Sequence, residues 1–492
     1  MLQNKFVIMF FLLLPTLVLP LGCDSEVDDE SQSQEVVVSF ADEVVTILAP
    51  KDLEEVTSWD AVLEEWTAQT MGTVEVVRYE GIDELLTKYD QKSPAGNTIL
   101  FFPRTSFAEL GIRDLFQEIP ETFLGPDDFN WQDMYDSLRG SVTEWNDDPC
   151  VIPIREPMLL LYYRSDLLEA AGKTPPQSWD EYQELLKTLE DWAPGMSAVE
   201  PWGKGSRSTT FLAHALPYVK TRGNYSAFFD YKSGEPMIGS PGFVRGLQEC
   251  RDIVSLLDPE SANMNSAQTL DEIREGRAAI AIGDAFPHPA SLTQEGSSEP
   301  EAIPISVVPI PGASSIFDPG RSAWQDLDGK MNSVTLTGWE GLSVGILDAG
   351  RAEKNRAAWN LLRSMMMYYP ESCFVPGYRT STRLSTSTKI WSPPFPHLDE
   401  RSHVEATRFS LREAEVVPAV IIAHRDQFMT QLSQTVTEVL FEKSAEPNEA
   451  LQQLAQSWAD LMEQLGKEKV RLSYATGLGV RAQKSQLVPK AP

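Results

Sequence analysis

The chain is 492 residues long, with 42% hydrophobic residues, 9% aromatics and 34 prolines. That length exceeds what one hydrophobic core serves and the composition is that of a folded protein, so a single small domain and global disorder are both excluded. Against 41 Lys and Arg stand 72 Asp and Glu, a formal charge of −31, which repels phosphate backbones at long range and excludes nucleic acid as a partner.

Lys5 and the apolar run Phe6 to Leu21, ending at Gly22, predict an export signal over residues 1–22. The run is short for a membrane-spanning helix of about 20 residues, and no later stretch approaches that length, so the processed chain is expected to carry no such helix. Cys23 follows at once, and Leu19-Pro20-Leu21-Gly22-Cys23 resembles a bacterial lipobox, with Pro20 where leucine is usual. Lipidation of Cys23 would anchor the protein to a membrane. Asp24 to Gln34 are almost all acidic or Ser/Gln, a solvated tether over residues 23–42 rather than a metal cluster, since the ligand spacing and turn glycine of a cation loop are missing.

Val44 to Leu48 is a β-branched run closed by Pro50, and Val56, Trp59, Val62, Leu63 and Trp66 follow at helical spacing as far as Gly72. The pattern predicts a strand and then a helix with Trp59 and Trp66 in the core. Thr73 to Tyr79 predicts a second strand, parallel to the first across a β-α-β crossover, and Thr98 to Phe102 a third, ended by Pro103. An open α/β sheet takes ligands beyond the carboxyl ends of such strands, which directs attention to Ala49 to Asp52 and Phe102 to Thr105.

Pro149 to Ile154 predicts an extended crossing and Met158 to Tyr163 a strand. Ser178 is expected to cap a helix with Glu181 bonding back in a capping box, Trp179 packing beside the helix start and Tyr182, Leu185, Leu186 and Leu189 on its buried face. Ala278 to Gly283 and Leu342 to Leu347 are apolar strands, Val307 to Pro311 is a second extended segment, and Arg351 to Met367 and Ala445 to Leu465 are helical patterns. The class is α/β throughout.

The segment Tyr162-Tyr163-Arg164-Ser165-Asp166-Leu167-Leu168 through Ala171-Gly172, Pro175-Pro176 and Ser178-Trp179-Asp180-Glu181 resembles the bacterial extracellular solute-binding proteins of the sugar type, family 1. Gly276 to Gly283, Val308-Pro309-Ile310-Pro311-Gly312 and Gly341-Leu342-Ser343-Val344-Gly345 extend the likeness over residues 43 to 460. The resemblance implies a type II periplasmic-binding-protein-like fold whose two lobes are discontinuous in sequence and joined by hinge strands. Lobe one would begin with 43–150, lobe two with 151–306, the hinge and return to lobe one would be 307–368, and 369–492 would supply C-terminal helices, mainly of lobe two, with a flexible tail. It implies a monomer that binds a small molecule, a sugar above all, and delivers it to the permease subunits of an ABC importer.

A sugar offers hydroxyls and apolar C–H faces, so its site needs aromatic planes flanked by carboxylates, amides and Arg or Lys. Trp202 lies in the small-residue loop Pro201 to Arg207, and Trp339 and Glu340 stand between Gly338 and Gly341 just before a strand, where the resemblance implies ligand contacts. Asp284 follows a strand and is equally a turn residue. Lys51 and Asp52 follow the first strand and equally cap a helix. Arg104 and Thr105 follow the third, and Tyr378 and Arg379 sit in a loop expected near the cleft.

GxSxG, HExxH and GxxxxGK[ST] patterns are all missing, and His214, His288, His397, His403 and His424 are scattered without metal spacing, so no catalytic residue, metal or cofactor is predicted. Gly477-Leu478-Gly479 reads as a flexible tail. A glycan-acting enzyme, needing only two carboxylates, stays open, as does a binding lipoprotein for another solute or for a sensory partner. Cys150, Cys250 and Cys373 allow one bridge and a free thiol, or three buried thiols.

Overall fold

In the computed structural model, residues 38–481 are described except 57–58, 90–95, 127–128, 141, 225, 287–302, 369–381 and 383–396. Cys23, Asp24 to Gln34, Cys373, Tyr378 and Arg379 therefore lie outside the described residues, whereas the end of the expected tether is described and is no tether: Phe40 is buried and stacks on Trp66 with ring centroids 5.9 Å apart.

Two sheets organise the chain. Val44–Pro50 pairs in parallel with Thr73–Tyr79 on one side and Thr98–Pro103 on the other. Its residues are apolar on both faces because both are covered: Val45, Ile47 and Ala49 enter one core and Leu48 another. The intervening helix Asp60–Thr70 buries Val62 and Trp66 and ends at Met71 in the left-handed region. Trp66 Nε1 donates to Asn360 Oδ1 at 2.7 Å and the Trp59 ring lies 4.9 Å from Phe101, so both tryptophans are core as their spacing predicts. Leu342–Ile346 runs antiparallel between Thr98–Pro103 and Val151–Arg155, completing the sheet.

In the second sheet, Leu159–Arg164 runs antiparallel to Ile305–Pro309 and Ala278–Asp284, and Ala278–Asp284 is parallel to Ser197–Val199. Ser178 Oγ accepts from the Glu181 N–H at 3.2 Å, while Glu181 Oε2 accepts from Gln177 N, one residue before the cap, at 2.7 Å. The helix Trp179–Lys187 thus starts where the sequence says. Trp179 is stacked on His214 with ring centroids 3.6 Å apart.

The chain leaves the first sheet at Arg155 and enters the second at Leu159. The passage is therefore Glu156-Pro157-Met158, and the expected crossing up to Ile154 is instead a strand of the first sheet. The return runs from Pro309 through the hairpin of Ser315–Asp318 and Ala323–Asp326 and the strand Val334–Thr337 to Leu342. Cys150 and Cys250 are buried free thiols in different cores. Gly477 closes the helix Lys467–Gly477, and a Cβ there would meet Ile421 at 2.8 Å. The glycines read as tail are therefore packed at their first member. Among the described residues, none of the helices is long and apolar enough to cross a membrane, and no acidic, His or Cys cluster could hold a metal.

Candidate functional site

Trp339 sits at the joint between the two sheets, half-buried and packed against both of their cores. It is held there by close backbone approaches. Gly338 has φ 78 and a Cβ on it would fall 2.6 Å from Glu156 Oε2, while a Cβ on Gly341 would fall 2.8 Å from Cβ of Arg104. Only glycine fits at either side, and the turn carrying Trp339 and Glu340 rests directly on buried charge.

That charge is two crossed pairs. Arg104 Nε lies 3.4 Å from Glu156 Oε1, both side chains buried, with the guanidinium 4.8 Å over Phe107. Burial pushes the Glu156 carboxyl up to about 7, against the opposing pull of Arg104 and a hydrogen bond with Thr337. Arg155 pairs with Asp284 and donates Nη1 to the Glu340 carbonyl at 2.7 Å. Burial raises the Asp284 carboxyl more than Arg155 lowers it.

Above this layer a cavity of about 590 Å³ is lined by Trp339 and Glu340 on one side, and by Lys204, Arg207 and Thr209 with the helix Arg425–Leu440 on the other. Glu340 is open to solvent, yet desolvation by the protein around it raises its carboxyl against the opposing pull of Arg155, with a smaller push from Asp284. A group that is surrounded and still wet marks the floor of a cleft. A second cavity of about 810 Å³, lined among others by Asp83, Thr105, Ser106, Glu109 and Arg113, shares Arg425 and Asp426 with the first. The two adjoin at Arg425 and Asp426 as one trough, with Trp339 and Met429 as apolar surfaces of the first cavity and Ile82, Leu86 and Ile422 of the second.

The expected site residues divide accordingly. Trp339, Glu340 and Thr105 line the trough. Arg104 and Asp284 are buried in the ion pairs and line neither cavity. Lys51 pairs with Glu80, both exposed, and neither it nor exposed Asp52 lines the trough. Trp202 is a correction. It is wholly buried, Nε1 donates to Glu200 Oε2 at 2.9 Å, and its ring meets Phe441 edge-on at 6.2 Å, leaving no face for a ligand. Tyr378 and Arg379 fall outside the described residues.

Sequence reading missed Lys204, Arg425, Arg155 and Glu156. The last two carried a signal: adjacent opposite charges inside the apolar stretch Val151 to Leu161. Buried charges persist only when paired, so their partners were worth seeking. Arg425 follows the apolar run Val420 to Ala423 as Arg104 follows Leu100 to Phe102, a polar residue at the exit of an apolar segment.

Two α/β sheets exchanging chain at a central joint, with a trough beside it, define a two-lobed binding protein of the periplasmic type. Residues 61–368 match the bacterial extracellular solute-binding proteins, and the chain belongs to that family. The fold is similar to that of the sugar-binding protein MalE from Xanthomonas citri (TM-score 0.61, 15% identity, 86% of this chain and 98% of that one). It is similar also to maltose-bound T. maritima MalE3 (TM-score 0.58, 17% identity, 85% and 99%) and to a ribitol-bound ABC transporter solute-binding protein from Agrobacterium radiobacter K84 (TM-score 0.57, 15% identity, 86% and 100%). The family is one of exported binding proteins rather than enzymes.

Proposed function

We propose that the protein is the extracytoplasmic solute-binding component of an ABC importer and takes a sugar or oligosaccharide in the trough. The observation that supports this best is Trp339, a half-exposed indole beside a carboxylate on the joint, facing Lys204, Thr209 and Arg425 across the cavity. An aromatic plane ringed by hydrogen-bonding groups suits the C–H face and hydroxyls of a pyranose. Maltose, the sugar alcohol ribitol and the words 'sugar-binding' in the names of the structural neighbours agree with it. A solute contacting both walls favours the closed arrangement by its differential affinity for it, and closure is what permease subunits would read. The protein acts as a monomer, turns over no substrate and is held to the membrane by lipid on Cys23.

A thermal-shift screen of the exported chain against mono- and oligosaccharides, polyamines and amino acids tests the reading, since a ligand at a hundred times its Kd adds about 2.7 kcal/mol. A sugar-specific upward shift without product supports it. Product formation, or a response confined to non-sugars, overturns it.

A further inference from the structure

Glu156-Pro157-Met158 is the outward passage from the first sheet to the second, and the return passage lies directly on it. Gly338 N donates to the Pro157 carbonyl at 3.0 Å, Met158 bridges Thr337, and the Thr337 carbonyl accepts from Ala419 N at 2.6 Å. Three stretches of chain far apart in sequence therefore meet at one carboxyl side chain. Glu156 is fully buried there, and its Oε2 occupies the space that a Cβ on Gly338 would need, so the turn bearing Trp339 stands on it.

Arg104, just beyond Thr98–Pro103, faces this carboxyl, Arg155 adjoins it in the chain, and Thr337 bonds to it from the return passage. Farther out, Asp284 and the Glu340 carboxyl both feel Arg155, and the Cys150 thiol near Arg104 is held in its neutral form by burial. Bending at the joint parts the three stretches and lets water in. The two forms of Glu156 respond differently to that change, since enclosure penalises the charged carboxylate far more than the neutral acid.

We infer that Glu156 is a proton-operated latch of the joint. With its proton it seals the crossing and supports the Trp339 turn; ionised, it draws water into the joint and shifts the lobes toward a splayed arrangement with a weaker hold on solute. Burial raises the carboxyl to about 7, while a solvated glutamate ionises near 4.3. The sealed arrangement thus binds more protons in that window, and its weight against the splayed one falls about tenfold from pH 6 to pH 8.5, levelling off above about pH 7. His403, lowered to about 4, titrates below this range. The inference rests on the binding reading above, with the solute seated on Trp339, and not on that solute being a sugar.

The test reads the lobes directly. Nitroxide labels on exposed Glu64→Cys in Asp60–Thr70 and exposed Gln453→Cys in Pro447–Leu465 report the interlobe distance in the unliganded exported chain, with Cys23 and Cys373 replaced by Ser and the thiols of Cys150 and Cys250 buried beyond the label's reach. With Glu156 in place, a second distance population should grow about tenfold relative to the first between pH 6 and pH 8.5. Glu156→Gln, a neutral side chain of the same shape, should keep the pH 6 distribution at both values. A distribution that ignores pH with Glu156 in place would overturn the latch, as would an equal shift in E156Q, which would hand the response to Glu340. Should E156Q fail to fold, the Glu156 titration still decides: growth of the second population must level off above about pH 7, and a steady rise to pH 8.5 would overturn the assignment. A shift lost in E156Q, together with a thermal screen answering only to non-sugars, would support the latch and sink the sugar reading alone.

Discussion

Arg155, the last residue of Val151–Arg155 in the first sheet, pairs with Asp284, the last residue of Ala278–Asp284 in the second. The same guanidinium holds the Glu340 carbonyl, so one side chain ties both sheets and the turn bearing Trp339. Removing one partner strands the other's charge in the interior. Arg155→Ala should therefore lower unfolding stability by about 3 kcal/mol or more, whereas a double replacement by apolar residues of similar size, Arg155→Met with Asp284→Leu, should recover most of it. Denaturant titration of the variants decides the matter. Equal losses in single and double variants would mean that the pair is not coupled.

Two buried groups give opposite pH signatures. Glu156 keeps its proton in the folded chain up to about 7, while in the unfolded chain it ionises near 4.3. The folded state binds more protons between those values, so this group's contribution falls as pH rises through the window, by about 4 kcal/mol in total. His403 is the reverse. Its burial lowers the imidazole to about 4, so its contribution is complete above the unfolded value near 6.5 and is lost as pH falls toward 4, by about 3 kcal/mol. Glu156→Gln should remove the first slope from the stability profile. His403→Gln should remove the second, keeping a donor for the Ala285 carbonyl that His403 Nε2 meets at 2.9 Å. Profiles that stay parallel to wild type would contradict both assignments.

What the sequence revealed follows from the range of the interactions. Thr73–Tyr79 runs between its predicted ends, and the Ser178 cap forms on Glu181, because the β preference of a Val- and Thr-rich run and capping are decided within a few residues. Trp202 was misread for the converse reason. Its partners include Phe441, and a Cβ on the neighbouring Gly203 would strike the Met264 carbonyl at 2.8 Å. A loop of small residues looks open in sequence, yet here smallness lets distant backbone close over the indole. The site is likewise assembled from Thr105, Lys204, Trp339 and Arg425, and nothing local links segments that far apart. The passage between the sheets was displaced because Val151 to Ile154, extended as predicted, finds a strand partner in Leu342–Ile346.

The anchor on Cys23 is tested by fractionation. Cys23→Ser should move the protein from the membrane to the soluble exported fraction, since the buried methylenes of each acyl chain, about 0.8 kcal/mol apiece, would be gone. Continued membrane association would defeat the lipid assignment.

Trp339 and Trp202 should separate binding from folding. Trp339 is half-exposed on the trough, so Trp339→Ala should weaken a stacked sugar by about 1 to 3 kcal/mol, some five- to 150-fold in Kd, with only a small change in stability. Trp202 is fully buried with its indole N–H satisfied by Glu200. Trp202→Ala leaves a large cavity in the second core and should cost about 3 to 5 kcal/mol of stability, while chain that remains folded binds solute with near wild-type affinity. Calorimetric titration and denaturant unfolding on the same two variants check this. If Trp202→Ala loses affinity at unchanged stability, the core placement is wrong; if Trp339→Ala leaves affinity intact, the solute does not lie on the joint.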